Sequence, residues 1–316
     1  MKTPTHWKNV NLLSLLLYPF GCLYGLATSL RILLNTPKKV DAKVICVGNL
    51  TAGGTGKTPI SVSLAKMLQQ NGQKPIFVSR GYGGRLKDIM VNPQQHTAVD
   101  VGDEPLLLAR QAPVVINPNR YLGALLAQQE GANYIILDDG FQNPSLYKNK
   151  SIIVIDGNVG LGNEFCIPAG PLREFISSGL KRAHAVAIIG EDKYNISQKI
   201  KNIPIFKGQI KAISPSPLTY DVVAFAGIGR PEKFYNSLAQ YGFNIVVSKD
   251  FPDHHYYTEQ ELEELITIGK KHKAPVYTTA KDFVKIPPHL QSKFKVLEIE
   301  IEWENPSELL NFLINS

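Results

Sequence analysis

The segment Val44-Ile-Cys-Val-Gly-Asn-Leu-Thr-Ala-Gly-Gly-Thr-Gly-Lys-Thr58 constrains this chain more than any other stretch. An apolar strand runs into a Gly-rich turn, then Lys57-Thr58, then a helical pattern. That is the order a phosphate-binding P-loop needs. Glycines let successive backbone N–H groups converge on phosphate oxygens, and the N-terminus of the following helix adds partial positive charge. On this reading Thr51, Ala52, Gly53, Gly54, Thr55, Gly56, Lys57 and Thr58 bind nucleotide. Lys57 reaches the β- and γ-phosphates, and the Thr58 hydroxyl ligates Mg²⁺. The strict spacing G-x-x-x-x-G-K-[ST] is not met, because Thr51 stands where the first Gly belongs. The competing reading is a strand–helix turn without a ligand.

The rest of the chain alternates. Helix 59–70 carries Ile60, Leu64, Met67 and Leu68 on one face. Strands are expected at 75–79, 113–116, 134–137, 151–155 and 185–189, with helices at 104–111 and 119–130 between them. Short apolar strands alternating with helices argue an α/β fold: a P-loop NTPase-like, mainly parallel sheet with helices on both faces. After the Pro-rich stretch 213–217 a second alternation follows. Strands are expected at 221–226, 244–248, 274–279 and 296–301, and helices near 231–241 and 259–272. The expected division is therefore an N-terminal segment 1–36, a P-loop domain 37–212 and a smaller C-terminal α/β domain 213–316.

Three scattered cysteines show neither metal spacing nor a disulfide framework, which suits a reducing compartment. The net charge of +7 favours anionic partners. The N-terminus holds 22 uncharged residues from Asn9 to Leu30. That is long enough to span a bilayer, but polar residues interrupt it and Pro19 should break or kink a helix at its middle. Three readings stay open: a pair of helices at the membrane interface, a true span, and a helix packed on the core. Aromatic and basic flanks favour the interface.

Other motifs suit phosphoryl transfer. Ile135-Ile-Leu-Asp138-Asp139-Gly140 is an apolar strand ending in acids, as in a Walker B element that holds Mg²⁺ directly or through water. Val101-Gly-Asp103-Glu104-Pro105 sets two acids before a helix, where Asp103 either caps the helix or acts in catalysis. Asp253-His254-His255 precedes a capping box opening at Thr258, so a surface loop and a catalytic histidine both remain open. Arg173, in the Pro/Gly loop Pro168-Ala-Gly-Pro-Leu-Arg173-Glu174, either stabilises charge on a transferred phosphoryl group or closes a loop.

Taken jointly, Gly48–Pro59, Ser79-Arg-Gly-Tyr-Gly83, Gly102-Asp-Glu-Pro105, Leu137-Asp-Asp-Gly-Phe-Gln142, Pro168–Glu174, Phe225-Ala-Gly-Ile-Gly229, Asp253-His254 and Thr279-Ala-Lys-Asp282 resemble the tetraacyldisaccharide 4′-kinase family. That family also has Thr at the position of Thr51. Where it often has Thr-Glu-Lys-Asp, this chain has Ala280 in place of Glu. The resemblance implies transfer of the ATP γ-phosphate to the 4′-hydroxyl of a tetraacylated glucosamine disaccharide 1-phosphate, giving lipid IVA. It implies Asp103 as base, paired with His254, Lys57 and Arg173 acting on the phosphates, and Asp139 as a catalytic residue that serves the metal or its waters. Thr58 and Asp138 would hold the metal. Arg80, Tyr82, Glu104, Arg120 and Gln142 would hold substrate. It also implies an anionic glycolipid partner and docking on the cytoplasmic face of the bacterial inner membrane, with no nucleic acid and no obligate protein partner.

A regulatory ATPase of the partitioning or metallochaperone type is the main rival. Its loop carries a signature Lys before the Gly pair, and Ala52 occupies that place. A GTPase would carry Asn-Lys-x-Asp, whereas Thr279-Ala-Lys-Asp282 sets Lys one place too late. A nucleic-acid-dependent ATPase rests on charge alone, without an aromatic-rich basic patch.

Overall fold

The computed structural model describes residues 4–213 and 221–315. The strands are β1 (Lys43–Gly48), β2 (Pro75–Ser79), β3 (Ile89–Met90), β4 (Val114–Ile116), β5 (Tyr134–Asp138), β6 (Lys150–Asp156), β7 (Ala185–Ile189) and β8 (Ile205–Ala212). They continue as β9 (Asp221–Ala226), β10 (Asn244–Asp250), β11 (Val276–Thr278), β12 (Phe294–Val296) and β13 (Ile299–Trp303). One sheet has the order β13-β8-β7-β6-β1-β5-β2-β4-β3, and a second has the order β10-β9-β11-β12. The large sheet is parallel except at its two edges, where β3 and β13 pair antiparallel. The small sheet is parallel throughout.

Parallel strands covered on both faces need apolar side chains on both sides. β1, β5, β6 and β7 meet that demand, with nearly every residue buried. One core holds Ile45, Val47 and Ile136 against Ile60, Leu64 and Leu68 of the helix Lys57–Gln70. The other face packs Val44, Cys46, Leu137 and Ile153 against Phe141 and Leu172. Each of Ile60, Leu64 and Leu68 is fully buried, worth about 1.5–3 kcal/mol apiece. This anchoring aims the helix N-terminus at the turn that follows β1. β5 and β6 flank β1, and the chain winds away from β1 in opposite directions. Such a switch point leaves a crevice at the carboxyl ends of the strands.

Three expectations need correction. The strand expected at 296–301 is two strands in different sheets, β12 and β13. The chain turns between them because Val296 pairs with Thr278 while Ile299 pairs with Ala212. The stretch 213–316 is consequently not one continuous unit. β13 and the helix Pro306–Ile314 return to the large sheet, where Ile301, Trp303, Leu309 and Leu313 join the core containing Ile45. Thirdly, Pro19 does not divide the N-terminal segment into a helix pair, since one helix runs from Leu12 to Leu33. Pro19 lies on its exposed side, while Ser14, Gly21, Gly25 and Thr28 hold both halves on the same surface. The Pro-rich stretch lies outside the described residues from position 214 onward, as does Lys2.

Candidate active site

The turn after β1 is an open cradle. Gly53 has φ 112° and Gly56 φ 86°, a region that favours glycine. A Cβ built on Gly53, Gly54 or Gly56 would meet nothing within 4 Å. The Thr55 hydroxyl is buried with no partner. Asn49, fully buried beneath the turn, donates from Nδ2 to the carbonyls of Thr51 and Gly53 at 2.7 and 3.4 Å. Thr51 itself is buried and bridges Leu172 through its backbone. Ala52 N–H donates to Pro171 O at 2.7 Å, and Arg173 N–H donates to Leu50 O at 2.7 Å. The Arg173 loop is thereby laced to the phosphate turn.

The end of β5 faces this cradle. Thr58 Oγ1 and Ser61 Oγ donate to the two oxygens of Asp138 at 2.8 and 3.0 Å. Burial, then the nearby charge of Glu104, pushes the Asp138 carboxyl up to about 6, against the pull of Lys57. Asp139 follows with φ 55°, which turns its side chain away from Asp138 into the crevice. There it meets Lys57 Nζ at 3.7 Å and Arg173 Nη1 at 2.9 Å. Burial raises the Asp139 carboxyl, but Lys57 and Arg173 outweigh it and hold the group below its ordinary value. Two cations that suit phosphate oxygens thus share one carboxylate.

Asp103 stands across the crevice. Gly102, with φ 91°, turns the chain into the helix Asp103–Ala109, and Glu104 N–H donates to Asp103 Oδ1 at 2.9 Å. His254, on the loop after β10, brings Nδ1 within 2.9 Å of Asp103 Oδ2. A carboxylate only accepts, so Nδ1 carries the proton. Lys281 Nζ lies 3.3 Å from the other ring nitrogen and 3.9 Å from Asp103 Oδ2. An ammonium only donates, so both contacts are satisfied by neutral imidazole. The Asp103 hydrogen bond raises the His254 pKa, burial and Lys281 oppose it, and the net is above the ordinary histidine value. Burial pushes Asp103 up, yet His254 and Lys281 hold it below the usual carboxylate range. Lys281 is raised, since Asp103, Glu104 and Asp253 outweigh its burial.

The remaining candidates separate by environment. Tyr82 is exposed, with its ring 5.8 Å from that of His254. Arg80 is exposed, and Glu104 meets Lys281 at 3.8 Å. Arg120 lies beneath the crevice floor, donating to Val78 O at 3.0 Å and leaving Nε unpaired. Burial and the Arg80 charge bring it down to about 10. Gln142 bridges Asn49 O and Glu174 Oε1 at 2.8 and 3.0 Å, tying β1 to the Arg173 loop.

Sequence reasoning missed four contributors. Ser61 shares Asp138, one helical turn beyond Thr58, a spacing that could have been read. Asn49 lies within the quoted motif. Lys281 was in a motif without a role. Lys87, whose ammonium donates to Gly81 O and Gly84 O at 2.7 and 3.0 Å, gave no signal.

Parallel sheet, phosphate cradle, paired acids on β5 and a carboxylate–histidine pair opposite define a P-loop phosphotransferase. A family profile described as tetraacyldisaccharide-1-P 4′-kinase, LpxK, matches residues 13–316. The chain belongs to this family and is a kinase. A tetraacyldisaccharide 4′-kinase of Paramagnetospirillum magneticum is 41% identical over 98% of this chain and 97% of its own length. One from Rhodospirillum centenum is 42% identical over 98% and 95%. An LpxK of Aquifex aeolicus crystallised with ATP superposes with a TM-score of 0.77 at 27% identity, covering 96% of this chain and 98% of that one. The family match excludes the partitioning-type ATPase reading.

Proposed function

We propose that the chain transfers the γ-phosphate of ATP to the 4′-hydroxyl of tetraacyldisaccharide 1-phosphate, giving lipid IVA, at the cytoplasmic face of the inner membrane. The observation that carries this reading is the Asp103–His254 pair, whose neighbour Glu104 is near enough to act on Asp138, together with a cradle flanked by Lys57, Asp139 and Arg173. Asp103 takes the proton of the attacking hydroxyl, and His254 holds that carboxylate in place through Nδ1. Lys57 and Arg173 exchange Asp139 for phosphate oxygens and offset the charge that develops there. The 4′-oxygen gains the bond to phosphorus that the β–γ bridging oxygen loses. Arg80, Tyr82 and Glu104 are proposed to shape the acceptor side of the crevice, with Arg120 and Gln142 supporting the site from beneath through Val78, Asn49 and Glu174.

The residues present fit a nucleotide and Mg²⁺. The cradle has no side chain in it, Thr55 Oγ1 lacks a partner, and Thr58 Oγ1 lies beside Asp138. Among the described residues no three His, Cys, Asp or Glu side chains form a closed metal site. An ion held by Thr58, Asp138, water and phosphate oxygens is the arrangement Mg²⁺ favours, and it would neutralise charge on the phosphates. The N-terminal helix exposes Leu12, Leu16, Phe20, Leu23 and Leu30. Lys8, Arg31, Lys38 and Lys39 are exposed around it, which suits an anionic leaflet holding the acceptor's acyl chains.

Labelled ATP and the disaccharide 1-phosphate, resolved by thin-layer chromatography, test the reading. Label should reach the lipid in a reaction abolished by EDTA and restored by Mg²⁺. ATP hydrolysis without labelled lipid would overturn it.

A further inference from the structure

The helix Leu12–Leu33 meets the body of the protein at the loop that carries Arg173. A Cβ on Gly25 would lie 2.7–3.0 Å from the ring of Phe175, and one on Gly21 would lie 2.7 Å from Cys166 O. Real Cβ atoms do not sit so close, so the contact exists because both positions are glycine. Phe175 is two residues from Arg173 along the chain. Between the helix and the phosphate turn the loop is held by backbone hydrogen bonds, Ala52 N–H to Pro171 O and Arg173 N–H to Leu50 O. The segment before the helix grips the same loop. Trp7 Nε1 donates to Pro168 O at 3.0 Å, and Asn163 Nδ2 donates to His6 O and Ala169 O, both at 2.9 Å. At the far end Arg31 donates to Gln142 O at 3.2 Å, three residues after Asp139. A cleft of about 260 Å³ beside the contact is lined by Tyr18, Gly21, Cys22, Phe165, Cys166 and Phe175.

We propose that Gly25, seated on Phe175, is a positioning residue for Arg173: the helix holds the 168–175 loop in register with the phosphate-binding turn. The proposal rests on the kinase reading for its consequence and on packing for its geometry. The same helix then both anchors the protein and sets one cation of the transfer step. Its outer leucines face away from this contact, so the two roles are separable by substitution.

The test places Gly25→Val in the full-length protein in detergent micelles, in the parent and in an Arg173→Ala background, with Ala27→Val on the exposed side as control. A displaced Arg173 should cost about tenfold in kcat, within the range that misplacement of about 1 Å produces. In the Arg173→Ala background the same change should cost less than about twofold, because effects through a shared group are not additive. Adding Phe175→Leu to Gly25→Val should recover much of the loss. Amide exchange at Ala52 and Arg173 should accelerate in Gly25→Val and not in Ala27→Val. An equal kcat factor in both backgrounds would overturn the proposal, as would unchanged exchange at both amides. If the parent transfers no phosphate to lipid, the kinase reading fails, and the exchange measurement alone decides this proposal.

Discussion

At the scale of single residues, the crevice pairs charges that the reaction will rearrange. Lys57 lies at the open end of its helix and contacts Asp139 rather than the core. Lys57→Ala should therefore fold normally by circular dichroism and lose phosphoryl transfer by about 10²–10⁴-fold. A rate within about threefold of the parent would remove the phosphate-binding role. His254 titrates above the ordinary histidine value of about 6.5. Its protonation sets two cations against each other, His254 and Lys281, 3.3 Å apart. The kcat/KM profile should then lose activity on the acid side with a midpoint above about 6.5, and Asp103→Asn should bring the His254 titration, followed by NMR, to lower pH. The stability effect has the opposite sign. A raised histidine contributes its stabilisation fully below about 6.5 and loses it as pH rises through the folded value. The acids, the lysine and the histidine were legible because motif chemistry lies in the sequence. The Lys281 contacts were not, since they depend on which segments meet, whereas Ser61 follows from its place one helical turn after Thr58.

At the scale of elements, the two sheets are joined across the crevice by side chains at the ends of strands and the starts of helices. Asp156, at the end of β6, is buried and held by Lys233 and by Arg230 Nη1 at 3.6 Å, both at the start of the helix Pro231–Gln240. Asp156→Ala frees two cations and one tether. With about 1 kcal/mol lost per charged contact, about 2 kcal/mol for the two, KM for the lipid acceptor should rise by up to about thirtyfold while kcat at saturation changes little. An unchanged KM in steady-state kinetics would show that Asp156 serves the fold of its own sheet only. Asp156 shows no partner in the sequence, because Arg230 and Lys233 lie some 75 residues later. Strands such as β7 and β9 were legible to the residue, since a short buried run has little freedom. β8 was missed, because only two of its eight residues are buried and its pattern is that of a sheet margin.

At the scale of the whole molecule, the apolar helix and the basic flank act on the same surface. Two outward leucines, each worth about 1.5–3 kcal/mol when buried, should outweigh two lysines at about 1 kcal/mol each. Leu16→Asn with Leu23→Asn should weaken binding to anionic vesicles more than Lys38→Ala with Lys39→Ala, measured by co-sedimentation. The reverse order would mean charge, not burial, holds the protein down. A tag at residue 1 that is reached only from the periplasm would show the helix to span. The path of the chain through the large sheet carries one more consequence. Ala212 of β8 pairs with Ile299 of β13, and Ile213 N–H donates to Glu298 O at 2.9 Å. The exit to the second sheet and the re-entry from it are thus neighbours on one ribbon. The chain therefore leaves the large sheet after Ile213 and rejoins it at Glu298 on the same pair of strands. Replacing residues 214–297 with a two-residue Asn-Gly turn should leave a chain that folds around nine strands and still takes up ATP, yet has no histidine to face Asp103.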